Sequence, residues 1–301
     1  MALPTLSDDE QSIILGKLSN ALEPHLAMYF SSASKELRAL LPPAVQQQLR
    51  TDYEEATALC LKMGMRDCKE LSEAAVVDWR GKGLSAADLA TLAKLGSVLP
   101  VLERLVLSKR SGSAGLDGVQ RLAEGLVAGS LPAVTDLHLN MHVSDAGASA
   151  LAGALDRGAL PRLRKLCLIG ATIGDAGLVA LAPALRRRPA LERLYLYYNP
   201  FGDEGLAALV APPPPADTPP PPPAGALKQL KKLDLDGTQV TDDGCATLVA
   251  ALDSGALPAL EVLELEGIVA SDAAKAAAYE ALSRSIFFAP PPATRRKPTS
   301  E

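Results

Sequence analysis

Six copies of the phrase Leu-x-x-Leu-x-Leu constrain the fold of this chain more than any other feature. They lie at residues 102–107, 134–139, 163–168, 191–196, 230–235 and 260–265, with Val134 in place of the first leucine of the second copy. Their starts are 32, 29, 28, 39 and 30 residues apart. Side chains alternate faces along an extended chain, so the fourth and sixth positions point the same way and define an inner face. A second phrase recurs 10 or 11 residues after the start of the first. Its copies are Ser144-Asp145-Ala146-Gly147, Gly174-Asp175-Ala176-Gly177, Gly202-Asp203-Glu204-Gly205 and Thr241-Asp242-Asp243-Gly244, with Ser271-Asp272-Ala273-Ala274 as the weakest. Ser, Thr and Asp there suit the free N–H groups of a helix's first turn. A helical apolar spacing follows, as in Leu178, Leu181 and Leu185. Each unit reads as strand, turn and helix. A single unit of this kind has no core of its own, so the units must stack and share one.

The six copies resemble leucine-rich repeats of the ribonuclease-inhibitor type, over residues 99–285. The resemblance implies an α/β fold: a right-handed solenoid with parallel strands on the concave face and helices on the convex one. The usual asparagine after the third leucine is mostly missing. The equivalent positions hold Arg110, His142, Ala171, Asn199, Thr238 and Ile268. A degenerate unit is expected at 71–98, because Ala74, Val77 and Trp79 stand 28 residues before Leu102, Leu105 and Leu107. Leu84 to Leu95 would supply its helix, with Ser85 as the cap. Such a unit would cover the first end of the stack. Prolines 212–215 and 219–223 form an insertion at 211–225, read as an exposed polyproline II excursion. The stretch 286–301 reads as a disordered tail.

Composition narrows the function classes. Thirty basic against 35 acidic residues give a net charge of −5, without the basic excess of a general nucleic-acid binder. No apolar run approaches the roughly 20 residues of a membrane span. Residues 1–10 lack the basic and apolar regions of a signal peptide. Cys60, Cys68, Cys167 and Cys245 contain no C-x-x-C pair, which fits a reducing compartment, cytoplasmic or nuclear. His138 and His142 span a strand and its turn, so they do not share a helical face for a metal. Cys167 would lie one repeat from His138, with no carboxylate to orient the imidazole. The expectation is a monomeric binding protein and not an enzyme, with no cofactor and no metal.

The outward positions of each strand should form the binding face. They are Arg104, Val106 and Ser108; Asp136, His138 and Asn140; Lys165, Cys167 and Ile169. Then come Arg193, Tyr195 and Tyr197; Lys232, Asp234 and Asp236; Val262, Glu264 and Glu266. Tyrosine and arginine are the types that most often dominate interface energetics. They meet at Arg193, Tyr195 and Tyr197, with Arg104, His138 and Lys165 on the preceding units. The carboxylates Asp234, Asp236, Glu264 and Glu266 would favour a basic partner segment. Residues 226–289 hold 5 basic and 10 acidic residues, against 12 and 10 over 99–210.

Residues 1–70 show helical spacing without the repeat. Their order resembles an F-box: Leu3-Pro4 opens, Ile14-Leu15-Gly16-Lys17-Leu18 and Leu26-Ala27-Met28-Tyr29-Phe30 supply helices, and Ser34-Lys35-Glu36-Leu37-Arg38 closes. The resemblance implies docking on a Skp1-like adaptor through Leu3, Pro4, Ile14, Leu18, Leu26 and Leu37. The solenoid would then recruit a substrate to a ubiquitin ligase, acting by proximity. Two other readings stand beside it. One is a stand-alone scaffold whose proline tract meets actin-associated proteins. The other is a small-GTPase regulator, since the GTPase-activating protein for Ran shares this repeat type.

Overall fold

Stacked leucines set the sheet. The computed structural model describes Leu22 and residues 43–108, 117–210 and 227–288. Seven strands lie side by side in sequence order, every neighbouring pair parallel. They are β1 (Val76–Asp78), β2 (Arg104–Ser108), β3 (Asp136–Asn140), β4 (Lys165–Cys167), β5 (Arg193–Tyr195), β6 (Lys232–Asp234) and β7 (Val262–Glu264). The fourth position of each phrase pairs with the same position of the next: Leu105, Leu137, Leu166, Leu194, Leu233 and Leu263. Val77 opens the row opposite Leu105. All seven are buried in one continuous core. Each fully buried leucine contributes about 1.5–3 kcal/mol over an exposed one. A one-residue slip would turn the whole row to solvent, and this fixes the register.

A helix follows each strand and covers the other side of the core. These helices are α3 (Ala86–Leu95), α4 (Gly118–Gly125), α5 (Ser144–Asp156), α6 (Asp175–Arg186), α7 (Asp203–Val210), α8 (Asp242–Asp253) and α9 (Asp272–Phe288). Ahead of β1 stand α1 (Pro43–Met63) and α2 (Cys68–Glu73). Helix α3 begins with a reciprocal cap: Asp88 N–H donates to Ser85 Oγ at 3.2 Å and Ser85 N–H to Asp88 Oδ2 at 2.6 Å. Leu59, Cys60, Met63 and Leu71 from α1 and α2 join the same core as Trp79 and Leu89, and Leu22 belongs to it. Lys94 of α3 pairs with Asp52 and Glu55 of α1 at 3.0 and 2.9 Å.

The acid of the second phrase works across units. Asp145 Oδ1 accepts the Gly174 N–H at 2.7 Å, and Asp175 Oδ1 accepts the Gly202 and Gly205 N–H groups at 2.8 Å each. Asp203 takes the Thr241 N–H at 2.8 Å, and Asp242 takes the Ser271 N–H at 2.6 Å. Each aspartate therefore caps the helix of the following unit. Within the second phrase, Thr241, Ser271 and Ser144 also accept N–H groups of their own helices. The glycine two residues after the acid makes room for the preceding unit's carboxylate. A Cβ on Gly177 would lie 2.4 Å from Asp145 Oδ1, one on Gly205 2.9 Å from Asp175 Oδ1, and one on Gly244 2.2 Å from Asp203 Oδ1.

The scarce asparagine is also explained across units. Asn199 is buried. Its Oδ1 accepts the Ile173 N–H at 3.0 Å, and its Nδ2 donates to the Leu168 and Leu196 carbonyls at 2.7 Å each. Two of these groups belong to the preceding turn, where Ala171 has nothing to offer. In the next unit Thr238 Oγ1 donates to the Leu235 carbonyl at 2.7 Å. His142 does not occupy this place. It meets Thr172 at 2.6 Å, one position further on, and Met141 is buried instead. The second unit's turn is one residue shorter, with 5 residues between Leu139 and Asp145 against 6 between Leu168 and Asp175.

Helix α9 runs on through Phe288, so residues 286–288 are helical and not part of a tail. The proline insertion, the segment 109–116 and the chain beyond Phe288 lie outside the described residues. So do Leu3, Pro4, Ile14, Leu18, Leu26 and Leu37.

Candidate protein-binding face

Parallel registration turns the outward side chains into three rows that cross the strands. The row at the strand starts reads Val76, Arg104, Asp136, Lys165, Arg193, Lys232 and Val262. The middle row reads Asp78, Val106, His138, Cys167, Tyr195, Asp234 and Glu264. The last row includes Ser108 and Asn140, which pair directly, and then Ile169, Tyr197, Asp236 and Glu266 on the following strands.

The first row is cationic. Arg104 and Arg193 are exposed and have no carboxylate partner among the described residues. Lys165 and Lys232 lean over the ring of Tyr195 from the two adjacent strands, with Nζ 5.0 and 5.5 Å from its centroid. Each such contact contributes about 0.5–1 kcal/mol at an exposed site. Together they hold the Tyr195 ring in place. Lys232 also pairs with Glu264 at 3.1 Å.

Alternation sets the direction of a side chain and not its exposure. Val106, Cys167 and Asp234 point to the concave face but are buried, contrary to the expectation from spacing. Larger neighbours close over them: Cys167 lies between His138 and Tyr195, and Asp234 between Tyr195 and Glu264. The four carboxylates expected to act alike therefore differ. Glu264 is paired and Asp234 is only 7% exposed, which leaves Asp236 and Glu266 facing solvent.

His138 and Cys167 do meet, with Nε2 and Sγ 3.9 Å apart. Burial pushes the thiol up to about 11 and holds the His138 imidazole below its ordinary value. Both shifts favour the neutral pair, the opposite of an activated thiolate. All four cysteines are buried and free.

Burial also raises the Asp234 carboxyl above its ordinary value, against the pull of the Asp236 N–H bond. A carboxyl raised in the folded state adds stability while it is protonated. That contribution is complete below its unfolded pKa of about 3.9 and is lost as pH rises through the folded value. Asp234→Asn is therefore expected to raise the thermal midpoint at pH 7 and to leave it unchanged at pH 3. An equal shift at both pH values would show that ionisation is not the cause.

Spacing alone misses one residue of this face. Tyr198 follows the last outward position of its strand, in a turn, and is 68% exposed. The signal available in the sequence was its place in the repeat, where units three, five and six have Gly170, Gly237 and Gly267.

Comparison with known proteins comes to the same repeat. The model for leucine-rich repeats matches residues 189–210 and 228–249, the fourth and fifth units. A search of curated proteins gives no match. Among solved structures, leiomodin-1 actin-binding site 2 aligns over 78% of this chain and 89% of its own, at 11% identity and a TM-score of 0.33. An internalin from Listeria monocytogenes aligns over 71% of this chain and 68% of its own, at 14% identity and a TM-score of 0.33. With its parallel strands in sequence order and a helix behind each, the chain has the fold of a leucine-rich-repeat solenoid.

Proposed function

We propose that this protein is a binding module that holds a protein partner on its concave face, over units three to six. One observation carries the reading: Tyr195 is held between Lys165 and Lys232, beside the unpaired Arg193 and next to Tyr197. Rigid aromatic rings flanked by arginine form interface anchors at low entropic cost. The convex side offers helix surfaces with scattered exposed residues such as Val179.

A photo-crosslinking amino acid at position 169, on the concave face, or at position 179, on α6, tests this. Adducts of defined mass from position 169, lost with Arg193→Glu and Tyr195→Ala, are the expected result. Adducts from position 179 alone, or adducts insensitive to both substitutions, overturn it.

The finer reading is a substrate-recruiting ubiquitin-ligase subunit. What supports it is the F-box-like order of residues 3–40, with Leu3, Pro4, Ile14, Leu18, Leu26 and Leu37 as the adaptor contacts. In that reading the solenoid raises the local concentration of its cargo and changes no bond itself. Co-expression with Skp1 is the test. A stable complex lost in Leu18→Asp and Leu37→Asp supports the reading, and a folded chain that forms no complex discards it.

A further inference from the structure

The corner formed by Tyr198, Asp236 and Glu266 has a chemistry that the rest of the concave face lacks. In units three, five and six the residue at the Tyr198 position is glycine, with φ of +57°, +62° and +66°. Tyr198 adopts the same left-handed backbone, φ +58°. Its ring lies over Gly237, where a Cβ would come within 2.4 Å of Tyr198 Cδ1. Tyr197 meets it edge to face, centroids 5.3 Å apart at 76°. The ring is thus supported from beneath and from one side, and it remains 68% exposed.

Two acidic residues follow Tyr198 on the next two strands. The Tyr198 N–H donates to the Asp236 carbonyl and the Gly237 N–H to the Glu266 carbonyl, each at 2.7 Å, so the three residues sit on adjacent rungs. Asp236 Oδ1 accepts the Glu266 N–H at 2.6 Å, which fixes its carboxylate. Neither Asp236 nor Glu266 has a cationic partner among the described residues. Lys232 pairs with Glu264 and stands four residues before Asp236, about 13 Å along an extended strand.

We propose that this corner seats an arginine of an extended partner segment. The inference rests on the concave face being the binding face, and it adds the partner's chemistry. A guanidinium is planar and weakly hydrated, so it stacks on an open tyrosine face while its fork reaches carboxylates. A lysine ammonium brings charge without the stacking plane and is more strongly hydrated. The cationic row at the strand starts repels a second basic group there, so the partner's orientation is fixed by charge as well.

The probe is a fluorescein-labelled decapeptide of alternating arginine and serine, with its lysine counterpart, titrated against the full chain by fluorescence anisotropy. The arginine peptide is expected to bind at least about tenfold tighter than the lysine peptide. Tyr198→Gly restores the residue type of the neighbouring units, suits the left-handed backbone there and takes away the whole side chain. It and Glu266→Gln are each expected to weaken the arginine peptide by about tenfold, with Val179→Ser on α6 as the unaffected control. Equal affinity for both peptides, binding indifferent to Tyr198→Gly in a folded chain, or no binding at millimolar peptide overturns the proposal. Crosslinking at position 169 separates the two readings. If its adducts persist while the peptides fail, the binding face stands and the arginine site falls.

Discussion

Gly177→Ala is expected to lower stability by about 2–3 kcal/mol, although alanine is the better helix former by about 0.5–1 kcal/mol. The new Cβ would sit 2.4 Å from Asp145 Oδ1 and 2.9 Å from Asp145 Cα, so both side chain and backbone of the preceding unit must move. The cap on Gly174 goes with them. Gly205 tests the cause separately, because its tightest neighbour is the Asp175 oxygen at 2.9 Å. Gly205→Ala alone should push that carboxylate off two N–H groups. In an Asp175→Ala background the oxygen is gone and the same substitution should cost little. A coupling of about 1–2 kcal/mol in this double-mutant cycle, read by urea unfolding, is the expected outcome. Strict additivity would show that the glycine has no bearing on the clamp. In the last unit Ala274 stands in place of the glycine, and Asp242 bonds to Ser271 through its N–H and hydroxyl, as Asp203 does to Thr241.

Asn199→Leu should be the more damaging change, at about 3–5 kcal/mol. It is close in size and apolar, yet it leaves the Ile173 N–H and the Leu168 and Leu196 carbonyls without partners in the core. Each unsatisfied buried group costs about 1–3 kcal/mol. The damage should extend to the third unit as well as the fourth. Amide exchange measures this directly: the Ile173 amide should lose most of its protection in the variant. A protein that keeps both its unfolding midpoint and that protection would refute the role given to Asn199.

The leucine phrases made the sheet legible. Leu105, Leu137, Leu166, Leu194, Leu233 and Leu263 must stack if their strands share a core, and the structure pairs them in that order. The alternation also gave the direction of every outward side chain. It did not give exposure, because exposure depends on neighbours from the adjacent units. Cys167 and Asp234 are small residues beneath Tyr195 and its flanking lysines, and no spacing rule carries that information. Tyr198 was passed over because it lies in a turn, beyond the reach of a period-two pattern.

The sequence by itself determined the repeating unit, the parallel order of the strands and the identity of the inner face. These follow from chain-local periods of two residues and of about 28–39 residues, which the hydrophobic effect turns into one stack. Only the tertiary structure decided which unit each aspartate and asparagine serves, which concave residues reach solvent, and which strands bring an exposed tyrosine and unpaired acids to one end of the face. Hydrogen bonds, close packing and charge act over a few ångströms between residues far apart in the chain, and those distances exist only once the units are stacked.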